Sequence, residues 1–162
     1  MQENLILDSY DRRLLEALQD DARQSLVSLA TYVNLSPTQC ARRLQRLEEA
    51  GAIRGYSARL EPAVVGLGAQ AFVTVNLDKQ GEISVKTFQA AVQTMPEILE
   101  CFSVSGIGDY LLRVIVPDLR SLSRFLTEEL MRVPGVREIR SIIVLDEIKS
   151  TLRMPLPDEN RR

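Results

Sequence analysis

Two short stretches of this chain carry side chains whose types and spacing could do chemistry, and in both the chemistry is recognition. The first is residues 36–46, SPTQCARRLQR. Ser36 can cap a helix, Pro37 suits the first helical position where an amide has no partner, and Gln39 stands where a capping box closes. Cys40, Leu44 and Leu47 then recur at helical spacing on one side, while Arg42, Arg43 and Arg46 fall elsewhere on the cylinder. A helix entering the DNA major groove needs short polar side chains at its N-terminus to reach base edges and cations on its flanks to meet phosphates. Ser36, Pro37, Thr38, Gln39, Arg42, Arg43 and Arg46 are therefore the candidate DNA contacts. The same pattern also fits a solvated amphipathic surface helix, so the neighbouring segments must decide.

The second stretch is Gly106-Ile107-Gly108-Asp109-Tyr110. Two glycines and an aspartate make a tight hairpin between strands, a purely structural duty. They also leave backbone amides bare enough to receive a carboxylate, with Asp109 able to pair an α-ammonium, so both ends of an amino acid would be met. Bond-making chemistry has less support. The chain has no histidine, which removes most His-based catalysis and the common zinc ligand sets. Cys40 and Cys101 lie in apolar patterns 61 residues apart, which suits small buried side chains better than a disulfide, a metal site or a nucleophile. No enzyme activity, metal or cofactor is expected.

A composition with 45% hydrophobic and 26% charged residues over 162 positions is that of an ordinary globular protein of one large or two small domains. No secretory or membrane segment is evident, so a cytoplasmic protein is expected. The net charge of −2 argues against a broadly basic nucleic-acid binder. Its distribution is more telling, because residues 36–60 hold five arginines against Glu48 and Glu49, a net of +3. Any DNA-facing surface is local.

Three helices must position the first stretch. Leu14, Leu15, Leu18 and Ala22 predict one starting near Ser9 or Asp11. Leu26, Leu29, Ala30 and Val33 predict a second capped by Ser25, with Asn34 ending it in the left-handed conformation. The third follows after a connection short enough for a helix-turn-helix and closes at Gly51. Residues 53–60 alternate as a strand, and Glu61, Pro62 and Gly66 break regular structure. Beyond them the pattern reads βαββαβ. Strands are expected at 69–78, 98–106, 109–116 and 136–148, with helices carrying Val85, Phe88, Val92 and Met95, then Leu119, Leu122, Phe125, Leu126, Leu130 and Val133 behind an Asp118 cap. This is the ferredoxin-like plan, an antiparallel four-stranded sheet with both helices on one face. The fold class is α+β, divided as a helix-turn-helix (winged-helix-like) domain at 1–52, a strand and linker at 53–66, a ferredoxin-like domain at 67–149 and a loose tail at 150–162.

From Leu7 to about Pro157 the chain resembles the Lrp/AsnC, or feast/famine, family of bacterial and archaeal transcription regulators. The resemblance rests on LDSYDRRLLEALQDDAR, NLSPTQCARRLQRLEEAGAIRGYSARLEP, VSGIGDYLLRVIVPDL and VPGVREIRSIIVLDEIK taken together. It implies a cytoplasmic, nucleoid-associated regulator that binds promoter or operator DNA. Its second domain would sense an amino acid or derivative, form homodimers through its sheets and assemble further into octamers. The family's loop reads Gly-x-x-Asp-Tyr, and Ile107 stands where the leucine-responsive member has an acidic residue, which points away from leucine. By resemblance, Leu119 and Ile142 join Gly106, Ile107, Gly108, Asp109 and Tyr110 around an effector held between subunits. The rival function is an architectural, nucleoid-organising DNA-binding protein that uses its second domain only for assembly.

Overall fold

A computed structural model describes residues 5–78 and 82–157 and divides the chain into two compact units, 1–58 with 149–162, and 59–148. In the first unit, α1 spans Ser9–Asp20, α2 Leu26–Val33 and α3 Pro37–Glu49. Each start has a local cause. Ahead of α1, Asp8 accepts the Asp11 amide at 2.9 Å while the Asp11 carboxylate accepts the Asp8 amide at 3.1 Å. Ser25 accepts the Ser28 amide at 3.1 Å. Ser36 and Gln39 exchange the same pair of bonds at 3.3 and 3.1 Å with Pro37 at the first position of α3. These partners satisfy amides that a helix start otherwise leaves without an acceptor. Asn34 sits at φ 61°, ψ 50°, one of the few non-glycine residues that tolerates this region, and so turns α2 into α3 within three residues.

Leu14, Ala17, Leu29, Ala30, Val33 and Cys40 form the core under these helices. The expectation of Ala22 on the buried side of α1 is corrected: the helix ends at Asp20, Ala22 is exposed, and Ala17 takes the core position one turn earlier. The segment 54–60 adopts no strand, because a lone extended run has no ladder partner for its backbone groups. Tyr56 instead donates to Glu48 Oε1 at 2.9 Å, tying the segment to the end of α3. The tail is not loose through its described part. Arg153 pairs with Asp20 at 2.7 Å, the Gln19 amide group brackets the Met154 backbone at 2.5 and 3.2 Å, and Arg12 donates to the Pro157 carbonyl.

The second unit has the order β1 Ala69–Leu77, α4 Glu82–Val92, β2 Ile98–Ser103, β3 Tyr110–Val116, α5 Leu119–Arg124 and β4 Val136–Ile143. After α5 the chain continues through a π-turn at Phe125–Glu129 and a 3-10 turn at Leu130–Arg132. The antiparallel sheet has the strand order β2-β3-β1-β4, the ferredoxin-like arrangement. Alternation sends Ala71, Val73 and Val75 of β1 and Leu112 and Val114 of β3 to the helix side, where they meet Phe88, Leu122, Phe125 and Leu130. Leu119 and Val85, expected on the apolar sides of their helices, are exposed. β4 stops at Ile143, opposite Ala71 of β1 and five residues short of the expected end. On the opposite face the register aligns Phe72 with Arg113 and Ile142, and Thr74 with Leu111 and Arg140.

Candidate functional site

Helical geometry sorts the exposed residues of α3. Thr38, Arg42 and Gln45 lie three or four positions apart and share one stripe, which is exposed along its length. Ser36, Pro37 and Gln39 are exposed at its N-terminal end. The Gln39 carbonyl oxygen is committed to the capping box, accepting from the Ser36 amide and hydroxyl, so its NH2 group is what remains for recognition. Among the described residues Arg42 forms no ion pair.

Arg43 and Arg46, expected with Arg42 to flank DNA, also have an intramolecular duty that the sequence did not suggest. Arg43 Nη1 reaches Asp8 Oδ2 at 2.7 Å and Asp11 Oδ1 at 2.8 Å, and its guanidinium lies over the Tyr10 ring at 5.2 Å. Arg46 Nη2 pairs with Asp11 Oδ2. Asp11 is fully buried at 0% exposure, and a buried carboxylate must be paired. The two arginines on the flank of α3 nearest α1 supply that pairing. The signal available in the sequence was the Asp8-x-x-Asp11 spacing of a capping box, which places two carboxylates at the start of α1.

Burial pushes the Asp8 carboxyl up, but the Asp11 amide and the Arg43 guanidinium together outweigh it and hold the group below its ordinary value of 3.8. The folded state therefore binds the Asp8 proton less readily than the unfolded chain does. This contribution to stability is complete above pH 3.8 and is lost as pH falls through the lowered value. In an NMR carboxyl titration Asp8 should titrate below 3.8 in the wild type and move upward in Arg43→Gln; an Asp8 midpoint above 3.8 would show that burial dominates.

The turn between β2 and β3 is held by its backbone. The Val104 amide donates to the Asp109 carbonyl at 3.1 Å and the Asp109 amide to the Val75 carbonyl at 3.0 Å. Gly106 has φ +132°, which an L side chain rarely adopts. Gly108 is buried against β1, where an added Cβ would lie 3.3 Å from Thr74 Cβ. Asp109 Oδ2 accepts the Leu77 amide at 2.8 Å, taking over the β1–β3 ladder where the turn leaves the sheet. One carboxylate oxygen thus has a structural duty.

Tyr110, expected as a ligand contact, is a core residue of this unit. It is buried, its ring centroid is 4.7 Å from that of Phe88, and its hydroxyl accepts from Gln89 at 3.1 Å. Ile107 is 80% exposed at the tip of the turn. Leu119 follows the far end of β3, so seven strand residues, roughly 23 Å at ~3.3 Å each, separate it from the turn. Ile142 stands on the outer sheet face beside Phe72. One chain does not bring Leu119 and Ile142 to the turn. Burial pushes both the Cys40 and the Cys101 thiol up, away from the thiolate form. Among the described residues no helix is long and apolar enough to cross a membrane.

These two units match two family models. The AsnC-type helix-turn-helix domain matches residues 7–48, and the Lrp/AsnC ligand binding domain matches 70–154. The chain is 43% identical to the leucine-responsive regulatory protein of Salmonella typhimurium, over 91% of this chain and 90% of the relative, and 42% identical to that of Escherichia coli K12 over the same shares. Among solved structures, a transcriptional regulator from Neisseria meningitidis in complex with L-Met superposes with a TM-score of 0.89 at 41% identity, covering 93% of this chain and 97% of that one. An AsnC family regulator from Agrobacterium tumefaciens gives 0.87 at 35% identity, covering 92% and 97%. Three helices that present a polar, arginine-bearing stripe, followed by an antiparallel sheet module with a glycine-rich turn, place the chain in the Lrp/AsnC family of DNA-binding transcriptional regulators.

Proposed function

We propose that the chain regulates transcription in the cytoplasm by binding operator DNA through the N-terminal half of α3, with Thr38, the Gln39 NH2 and Arg42 as reading groups. An apolar amino acid or a derivative keeping both α-groups sets that activity from the sheet unit. The observation that carries this reading is the presence, on one chain, of an AsnC-type helix-turn-helix and a Lrp/AsnC ligand binding domain. The methionine held by the 41%-identical Neisseria regulator supports the effector class. At the turn, the Gly106–Gly108 amides receive the carboxylate and the free oxygen of Asp109 the ammonium. Ile107 and, from another subunit, Leu119 or Ile142 meet the side chain. Because that site needs a second copy, effector binding biases assembly or DNA affinity by its differential affinity for two arrangements.

The test is a thermal-shift screen of the amino acids. A true effector at ten times its Kd stabilises by about 1.4 kcal/mol, a rise of roughly 3–6 °C for a chain of this size. If no amino acid shifts Tm, assembly or DNA binding, the architectural reading takes its place.

The same proposal includes a homodimer, with octamers built from it. On the outer sheet face one row across the four strands runs Glu100, Arg113, Phe72 and Ile142 and the next Phe102, Leu111, Thr74 and Arg140, with the Glu100–Arg113 and Glu138–Arg140 pairs among them. Exposed apolar side chains interleaved with paired charges suit burial against a second copy. Light scattering should give a dimer or larger species, and Phe72→Glu should shift it toward smaller ones. A wild-type monomer at every concentration would end this part of the proposal.

A further inference from the structure

We infer that Asp11, although it lies on α1 and is fully buried, is a positioning residue for DNA recognition. It withdraws Arg43 and Arg46 from the DNA and so leaves the Thr38–Arg42–Gln45 stripe as the reading surface. The inference rests on α3 being the helix that reads DNA. Asp8, Asp11, Arg43 and Arg46 form a closed set of two carboxylates and two guanidiniums, with no net charge. Asp11 Oδ1 takes Arg43, and Oδ2 takes Arg46 and the Asp8 amide. Asp8 Oδ2 takes Arg43 and Oδ1 the Asp11 amide.

The local excess of +3 read from residues 36–60 counts Arg43 and Arg46 but not the two carboxylates that neutralise them, since these lie some 30 residues earlier. A phosphate would have to displace a carboxylate whose removal from its partners leaves a buried charge, so these arginines are poor phosphate ligands while the quartet is intact. Arg43 is held most firmly, because its guanidinium bridges both carboxylates and lies over Tyr10. Arg46, half-exposed and held by one carboxylate oxygen, is the first that would be released. A mobile cation beside the reading stripe adds sequence-independent phosphate attraction, which raises affinity for every duplex alike and lowers discrimination.

The experiment uses the full-length protein, a duplex that the wild type selects from a random-sequence pool, and a scrambled duplex of equal composition. Binding is measured over a range of salt concentrations. Arg42→Ala should weaken binding to the selected duplex roughly 5- to 150-fold and relax its sequence preference, with Tm unchanged. Asp11→Asn should lower Tm, raise the slope by one to two units and narrow the gap between the two duplexes as the arginines are freed. An Asp11→Asn protein that stays folded with slope and discrimination unchanged overturns the inference. Should that variant fail to fold, Arg43→Gln and Arg46→Gln decide the matter. Each should lower Tm and leave the slope as it is, and loss of one slope unit at either with Tm unchanged overturns it. Wild-type protein that selects no duplex refutes the DNA reading of α3 itself, a result distinct from either variant outcome.

Discussion

Asp11→Ala should destabilise the helical unit by about 3 kcal/mol or more, the cost of removing one partner from a buried charge cluster. Arg43 would keep Asp8, but Asp8 is half-exposed and also serves as the α1 cap, and Arg46 would lose its pairing with Asp11. Arg46 is itself 48% exposed and can turn to water, which keeps the expected cost at the lower end of the range for fully buried pairs. The reciprocal capping bond to the Asp8 amide disappears as well, adding up to roughly 1 kcal/mol. Urea unfolding followed by helical circular dichroism measures the sum. A loss below about 1 kcal/mol would mean that the quartet is dispensable for packing α1 on α3. A substitution to a well-fitting apolar residue together with Arg43→Leu and Arg46→Leu should recover much of the loss, since a buried ion cluster is costly to assemble as well as to break.

At Asp109 two substitutions should separate two duties. Alanine removes the acceptor of the Leu77 amide and costs about 1.5–3 kcal/mol of stability, as expected for a hydrogen bond to a charged group. Asparagine keeps an acceptor for that amide, so Asp109→Asn should remain close to wild type in Tm, yet it has no charge to meet an ammonium. Effector affinity in Asp109→Asn should therefore fall by about 1.5–3 kcal/mol, at least ~10-fold, because the proposed α-ammonium contact loses its counter-charge. DNA binding without effector should change little, because α3 belongs to the other unit. Calorimetric titration with the amino acid found in the thermal-shift screen measures both variants. Unchanged affinity in Asp109→Asn would show that the hairpin duty is the whole role of this residue and that the ammonium is bound elsewhere.

By itself the sequence determined what local rules control. Ser25, Ser36, Asn34, Pro37, Gln39 and Asp118 fall where helix ends demand particular backbone states or acceptors within a few residues, so the three helices and the start of α5 were legible. Alternation in β1 and β3 was equally plain, because both strands lie in the middle of the sheet and bury one face completely. Partners remote in the chain were not legible. Nothing local distinguishes Arg42 from Arg43, and only the packing of α3 on α1 turns one outward and closes the other on Asp8 and Asp11, more than 30 residues away. The strand expected at 53–60 failed for the same reason in reverse, since a period of two cannot reveal whether a partner strand exists. Asp109 and the tail follow this rule too. The Leu77 amide that Asp109 accepts and the Gln19, Asp20 and Arg12 groups that hold residues 153–157 are neighbours only in the folded chain, where tertiary contact decides which side chains are free to recognise and which are already bound.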